Sequence, residues 1–164
     1  MNIIGLGQSG CNIADMFSRH PQYKIYKIDG DISSDFDFAE QYDESEQKKK
    51  VYSLKEQAGP EEYEKNVPSM KTFFRGIKGE TLFIVGGSGH ISAMCLRIME
   101  QIKDKCELSV LYIRPDTSLL SKAKTLHESA TYGILQQFAR SGLLRTLYLV
   151  SNTNLENILG EVPI

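Results

Sequence analysis

Two glycine-rich stretches hold the residues best suited to chemistry. The first is Gly5-Leu6-Gly7-Gln8-Ser9-Gly10, a literal G-x-G-x-x-G between an apolar run and a helical pattern. Glycines let backbone N–H groups approach phosphate oxygens, and a following helix N-terminus adds partial positive charge. Each such dipole interaction contributes roughly 0.3–1 kcal/mol. The second stretch, Val85-Gly86-Gly87-Ser88-Gly89-His90, repeats the arrangement after the strongest apolar run in the chain. Ser88 offers it a hydroxyl donor. Two such turns in one short sheet point to a polyphosphate clamped from two sides; a bare turn is the alternative for each. A third loop, Val150-Ser151-Asn152-Thr153-Asn154, carries Asn152, whose amide has both a donor and an acceptor for a base edge. Taken by itself, that loop is better explained as a helix cap or Asx-turn.

These loops need strands and helices to position them. Residues 2–6 are a short apolar run and read as a buried strand. A helix over 11–19 follows, with Ile13, Met16 and Phe17 at helical spacing. Residues 23–29 read as a strand with Tyr23, Ile25 and Lys27 on one side and Lys24, Tyr26 and Ile28 on the other. Residues 30–47 are acidic and polar and read as a loop or excursion; 48–54 read as a short edge strand guarded by lysines. The pattern then predicts a helix around 66–76, a strand at 81–85 and a helix over 91–104. Further strands are expected at 108–113 and 143–150, a helix over 117–140, and a helix start around 154–159. Strands separated by helix-length segments require crossovers. The expected fold is a three-layer, doubly wound, Rossmann-like α/β domain with about six mostly parallel strands. Such sheets bind ligands beyond the carboxyl ends of their strands, where these loops lie.

Composition limits the functions available. The 164 residues carry 41% hydrophobic and 24% charged residues, ordinary globular usage that argues against disorder, collagen or a coiled coil. The formal net charge of -2 gives no basic field, so no bulk affinity for nucleic acid or anionic membrane is expected. Cys11, Cys95 and Cys106 form neither a disulfide framework nor a metal-ligand spacing, and no metal site of the protein's own is expected. Three free thiols, no spanning run and no signal-peptide pattern at the start make a cytoplasmic location the simplest expectation.

The motifs together resemble the amino-terminal nucleotide-binding domain of the tubulin/FtsZ family of GTPases. The resemblance rests on GLGQSGCNIA at 5–14, FIVGGSG at 83–89, IRPD at 113–116 and YLVSNTNLENIL at 148–159, in the family's order and approximate spacing. It implies GTP or GDP as ligand, with Mg2+. It implies that Gly7, Gln8, Ser9, Gly10 and Cys11 sit at the diphosphate, with Asn12 near the sugar or base. Gly86, Gly87, Ser88 and Gly89 would surround the phosphates, and Asn152 would read guanine; His90, beside that loop, is read from its position either as a neutral imidazole donating to a phosphate or as a plain surface residue. Asp29, Asp31 and Asp116 are further candidates at the nucleotide. The resemblance also implies head-to-tail homo-oligomers that build filaments. Hydrolysis would then depend on an acidic loop in a second domain of the neighbouring subunit. That domain is missing here, so residues 1–164 are expected to be a truncated single nucleotide-binding domain without catalytic residues of its own.

Some positions depart from the family pattern. The signature loop starts at Val85 and continues as His90-Ile91, where the family has glycines at its two ends. If the backbone needs positive φ there, a side chain costs about 1–2 kcal/mol. Leu119 stands where an acidic residue normally reaches the ribose, with Asp116 nearby as a substitute; a lost buried hydrogen bond of that kind costs roughly 1–3 kcal/mol. Two rival readings follow. Gly5, Gly7 and Gly10 with Asp29 about twenty residues on also fit the fingerprint of an NAD(P)-dependent oxidoreductase domain. The departures alternatively fit a structural module that has lost nucleotide binding. Of the other residues, Arg114 either reaches a phosphate or forms a salt bridge at the sheet's rim. Tyr42, Tyr52 and Tyr63 are candidates to cover a base or a partner. His20 and His127 read as surface or structural.

Overall fold

The structure, a computed structural model, describes residues 1–30 and 49–159. Six strands form one all-parallel sheet: β1 (Asn2–Leu6), β2 (Lys24–Asp29), β3 (Lys49–Ser53), β4 (Gly79–Gly86), β5 (Cys106–Arg114) and β6 (Thr146–Ser151). Their order is β3-β2-β1-β4-β5-β6. The chain builds outward from β1 in one direction, then returns to β4 and builds outward in the other. The helices are α1 (Gly7–Phe17), α2 (Pro60–Lys65), α3 (Cys95–Ile102), α4 (Lys122–Arg140) and α5 (Asn152–Leu159). This is the expected α/β, Rossmann-like arrangement.

The central strands are covered on both faces, as parallel strands usually are, while β3 and β6 at the edges are only partly buried. In β1 the alternation sends Ile3 to one face, with Ile25, Ile84 and Ala14 of α1, and Ile4 and Leu6 to the other. That second face holds the larger core, built with Tyr26, Phe83, Val110 and Tyr112 and with Met94, Cys95, Ile98 and Ile102 on and just before α3. Burying each such side chain contributes roughly 1.5–3 kcal/mol. Within β2, Ile25 faces α1 while Tyr26 and Ile28 join the larger core, as the sequence alternation predicts.

Several expectations need correction. The predicted helix around 66–76 is a run of turns; the helix lies earlier, at α2. Pro60 opens α2 with Glu61 and Glu62 in its first turn, which suits the helix dipole. Pro68 then removes an N–H donor, and Gly76 takes φ +79°, so no helix persists across that interval. Met16 is exposed; α1 instead buries Gly10, Cys11 and Ala14. The helix expected over 91–104 begins with a 3-10 turn at Ile91–Met94. The one expected over 117–140 is a 3-10 turn at Thr117–Leu119 followed by α4, whose cap is the Ser121 hydroxyl accepting from the Lys124 N–H at 3.3 Å. The last strand begins at Thr146 rather than 143. The N–H groups of Leu143 and Leu144 instead donate to the Phe138 carbonyl at 3.1 and 3.2 Å, closing the end of α4 beyond Gly142 at φ +79°. The acidic stretch expected as a loop, with Asp31 and Tyr42, lies outside the described residues, as do the last five positions of the chain. No described helix is long and apolar enough to cross a membrane.

Candidate functional site

The reversal of the chain path between β1 and β4 leaves a crevice beyond their carboxyl ends. Ligands bind at such a switch point in open α/β sheets. β1 and β4 are in register, with Gly5 opposite Ile84 and Leu6 opposite Val85. The two glycine turns therefore emerge side by side. A Cβ built on Gly86 would stand 2.6 Å from Ser9 Oγ, so the second turn touches the first directly. A cleft of about 470 Å3 opens here, within the roughly 300–1,000 Å3 of small-molecule sites.

The three glycines of the first turn do different work. Gly7 has φ +69°, a left-handed conformation that turns the chain from β1 into α1, and a Cβ there would meet nothing within 4 Å. It faces open space in the cleft. Gly5 and Gly10 are packing residues. A Cβ on Gly5 would lie 2.5 Å from the Gly10 carbonyl oxygen, and one on Gly10 would lie 2.5 Å from the Ile84 carbonyl oxygen. Their smallness seats α1 against β1 and β4 and so aims its first-turn N–H groups at the cleft. Those N–H groups have no partner within the helix.

Of the candidates named from sequence, the structure brings Gly7, Gln8, Ser9, Asp29, Gly86, Ser88, Gly89 and His90 to this one cleft. Asp29 ends β2, and its Oδ1 accepts the Gly30 N–H at 2.8 Å. Gly10, Cys11, Asn12, Gly87, Asn152 and Asp116 do not line it. Gly10 is under α1, as above. Cys11 is buried and its thiol donates to the Gly5 and Ile28 carbonyls at 3.4 and 3.6 Å. Burial pushes that thiol up to about 11, so it stays neutral. Asn12 is exposed on α1. The Gly87 N–H is taken by the Ile113 carbonyl at 2.9 Å, and a Cβ there would strike the Tyr112 hydroxyl at 2.3 Å. Asn152 is the exposed first residue of α5, two strands away from β4, and the neighbouring Ser151 hydroxyl caps that helix. Asp116 caps the 3-10 turn after β5, accepting from the Ser118 N–H and hydroxyl at 2.8 and 2.7 Å, which hold its carboxyl below the usual range.

The departures in the signature loop carry no backbone strain. Val85 is a fully buried residue of β4, and His90 has φ -59° and ψ -41°, ordinary right-handed backbone. Gly86, Gly87 and Gly89 have no positive φ either. Leu119 is 82% exposed and contributes nothing to the cleft. Arg114 takes the salt-bridge alternative: its Nε lies 3.1 Å from Glu128 Oε1, and its guanidinium covers the Tyr132 ring at 4.9 Å. Tyr63 does line the cleft, whereas Tyr52 packs on Phe73 at 5.4 Å.

Sequence reasoning missed Glu56, Gln57 and Ser92. Glu56 and Gln57 follow β3, so the rule that loops after strands carry function applied to them as well. Ser92 sits in the 3-10 turn after the second glycine turn. Among the described residues no cluster of three or more His, Cys, Asp or Glu side chains could hold a metal by itself. Among the described residues, the carboxylates in the cleft are those of Asp29 and Glu56.

No protein-family model matches the chain, and no curated protein matches it. The family reading rests on the motifs and the cleft.

Proposed function

We propose that this domain binds a guanine nucleotide, GTP or GDP, in the cleft between the β1–α1 and β4–α3 turns, as the nucleotide-binding domain of a tubulin/FtsZ-like protein. The observation that carries the reading is the meeting of two glycine turns on adjacent strand ends in one cleft. Phosphates would accept from the first-turn N–H groups of α1 and from the Ser9 and Ser88 hydroxyls. Mg2+ suits the site, because that ion is commonly held by one or two carboxylates together with substrate phosphates. Asp29 and Glu56 would hold it, and it would neutralise phosphate charge. On this reading Asn152 and Asp116 lie on the β5–β6 side, toward which a sugar and base would extend. Filament assembly, and hydrolysis completed by a neighbouring subunit, belong to the same proposal.

Three observations favour a second reading. The strand order, the packing roles of Gly5 and Gly10, and Asp29 at the end of β2 beside Gly7 also suit a dinucleotide such as NAD(P). Calorimetric titration with GTP, GDP, ATP and NADH in the presence of Mg2+ separates the two. The guanine reading expects GTP and GDP to bind at least about tenfold more tightly than ATP, a difference of roughly 1.4 kcal/mol. Equal affinity for ATP removes the guanine assignment, and a preference for NADH installs the second reading.

A further inference from the structure

Gly87 is a glycine for want of space, not for backbone conformation. Its φ is not positive, yet a Cβ there would lie 2.3 Å from the Tyr112 hydroxyl, 2.9 Å from Tyr112 Cζ and 3.0 Å from Pro115 Cδ. The second glycine turn therefore rests on the polar end of a tyrosine that is wholly buried. That side chain is fixed from two sides. Its ring stacks on Tyr132 at 5.8 Å with 12° between the planes, and its hydroxyl is directed at Glu128 Oε1, 3.5 Å away. Glu128 is itself 0% exposed and is held by Arg114 Nε at 3.1 Å. Burial, and then the Glu128 carboxylate, push the Tyr112 phenol above its ordinary value, so it remains a hydrogen-bond donor. A phenol and a carboxylate are costly beside a core that Phe and an aliphatic residue would fill as well. Packing alone does not account for them.

We propose, resting on the nucleotide reading above, that Tyr112 is a positioning residue for the ligand, its hydroxyl serving as the seat on which Gly87 fixes the second glycine turn. Gly87 does not line the cleft, but its neighbours Gly86 and Ser88 do. The Gly87 N–H, donating to the Ile113 carbonyl at 2.9 Å, ties the turn to the β5 backbone, and the Tyr112 hydroxyl stops it on the Cα side. Glu128 and Arg114 act through Tyr112, holding the hydroxyl where Gly87 meets it. Glu128 belongs to α4, so the second turn is braced by a helix that does not itself line the cleft.

The test is a double-mutant cycle on Tyr112→Phe and Gly87→Ala. GDP affinity is measured by calorimetry with Mg2+ present, well below the unfolding midpoint of every variant, and the amide signals of the free proteins are read by heteronuclear NMR. Tyr112→Phe keeps the ring and removes only the hydroxyl. It should weaken GDP binding roughly three- to tenfold and shift the signals of Gly86 to Gly89, while the signal of Gly142, beyond the far end of α4, stays in place. Gly87→Ala should weaken binding further, and its added methyl should cost less affinity in the Tyr112→Phe background, where its closest obstacle is gone. A merely structural Tyr112 would lower the unfolding midpoint and leave both the affinity and the Gly86 to Gly89 signals unchanged. That result, or strictly additive losses in the cycle, overturns the proposal while the wild type's binding keeps the nucleotide reading intact. Where Gly87→Ala does not fold, Tyr112→Phe alone decides. Absence of GDP binding by the folded wild type overturns the nucleotide reading itself, and this proposal with it.

Discussion

Gly10→Ala tests whether α1 is held by close backbone contact with β4. The added Cβ would begin 2.5 Å from the Ile84 carbonyl oxygen and 3.3 Å from its carbon, whereas ordinary contact starts at 3.4 Å. Relief requires the helix to lift by about 0.9 Å. Neither atom can rotate aside, because one is on a helix backbone and the other on the backbone of a central strand. Overpacking of this kind costs about 1–3 kcal/mol, and a rigid pair belongs at the upper end. Alanine returns about 1 kcal/mol through its better helix propensity. The net expectation is a loss of about 2 kcal/mol, or a fall in Tm of roughly 4–8 °C for a chain of this size. Gly133→Ala in α4 is the matched control, since its Cβ would meet nothing within 4 Å. It should stabilise by about 0.5–1 kcal/mol. Thermal and urea unfolding of both variants read the difference. Should Gly10→Ala melt at or above the wild type, close packing at the β1–α1 turn is not what fixes the helix. On the proposed nucleotide reading, the lifted helix should also bind GTP more weakly, because Gln8 and Ser9 travel with it.

Gly86→Ala directs a Cβ at the flexible Ser9 hydroxyl, 2.6 Å away, so stability should change by less than about 1 kcal/mol while, on the proposed reading, GTP affinity measured by calorimetry falls. The folded-state thiols of Cys11 and Cys95 are pushed by burial from the ordinary 9.0 up to about 11 and about 12. Their contribution is complete below pH 9 and lost as pH rises through the folded values, so urea midpoints should drop between pH 9 and 11 less steeply for Cys11→Ala than for wild type. Arg114→Met leaves the Glu128 carboxylate, 0% exposed, without its cation. It should cost roughly 2–3 kcal/mol in unfolding free energy, less than for a wholly buried pair because Arg114 is itself 38% exposed; replacing both residues by Met should recover part of the loss.

The sheet was legible because its signals are local. β1, β4 and β5 are apolar runs buried on both faces, and such runs need no knowledge of their partners. The helix misplaced to 66–76 shows the opposite case. Phe73, Phe74 and Ile77 are apolar at near-helical spacing, yet Phe73 and Phe74 sit in turns and Ile77 lies just beyond them. Phe73 and Phe74 pack against Tyr26 of β2, at 5.6 and 5.7 Å, a tertiary contact the sequence does not announce. The first glycine turn was legible as a motif, but its glycines could not be sorted by role. Only the approach of β4 shows Gly10 to be a packing residue and Gly7 to be the open one. Glu56 and Gln57 join the cleft through the pairing of β3 with β2, which is again a long-range fact.

The chain path alone explains why the cleft exists. Crossovers from β1 build toward β3 and those from β4 build toward β6, so the first and second glycine turns leave neighbouring strands with no crossover between them. Gly5 and Gly10 would be needed for that geometry even in a protein that bound nothing. What does not follow from packing is the character of the lining: an open Gly7, serines on both turns, an acidic rim and an exposed imidazole. On the proposed reading, a phosphate chain carried with a divalent ion would find donors along its length and carboxylates for the metal at its edge. The choice between a guanine triphosphate and a dinucleotide then turns on the β4 side of the cleft. There Ser88 and His90 are useful to a ligand whose negative charge ends at that turn and idle for one that continues past it.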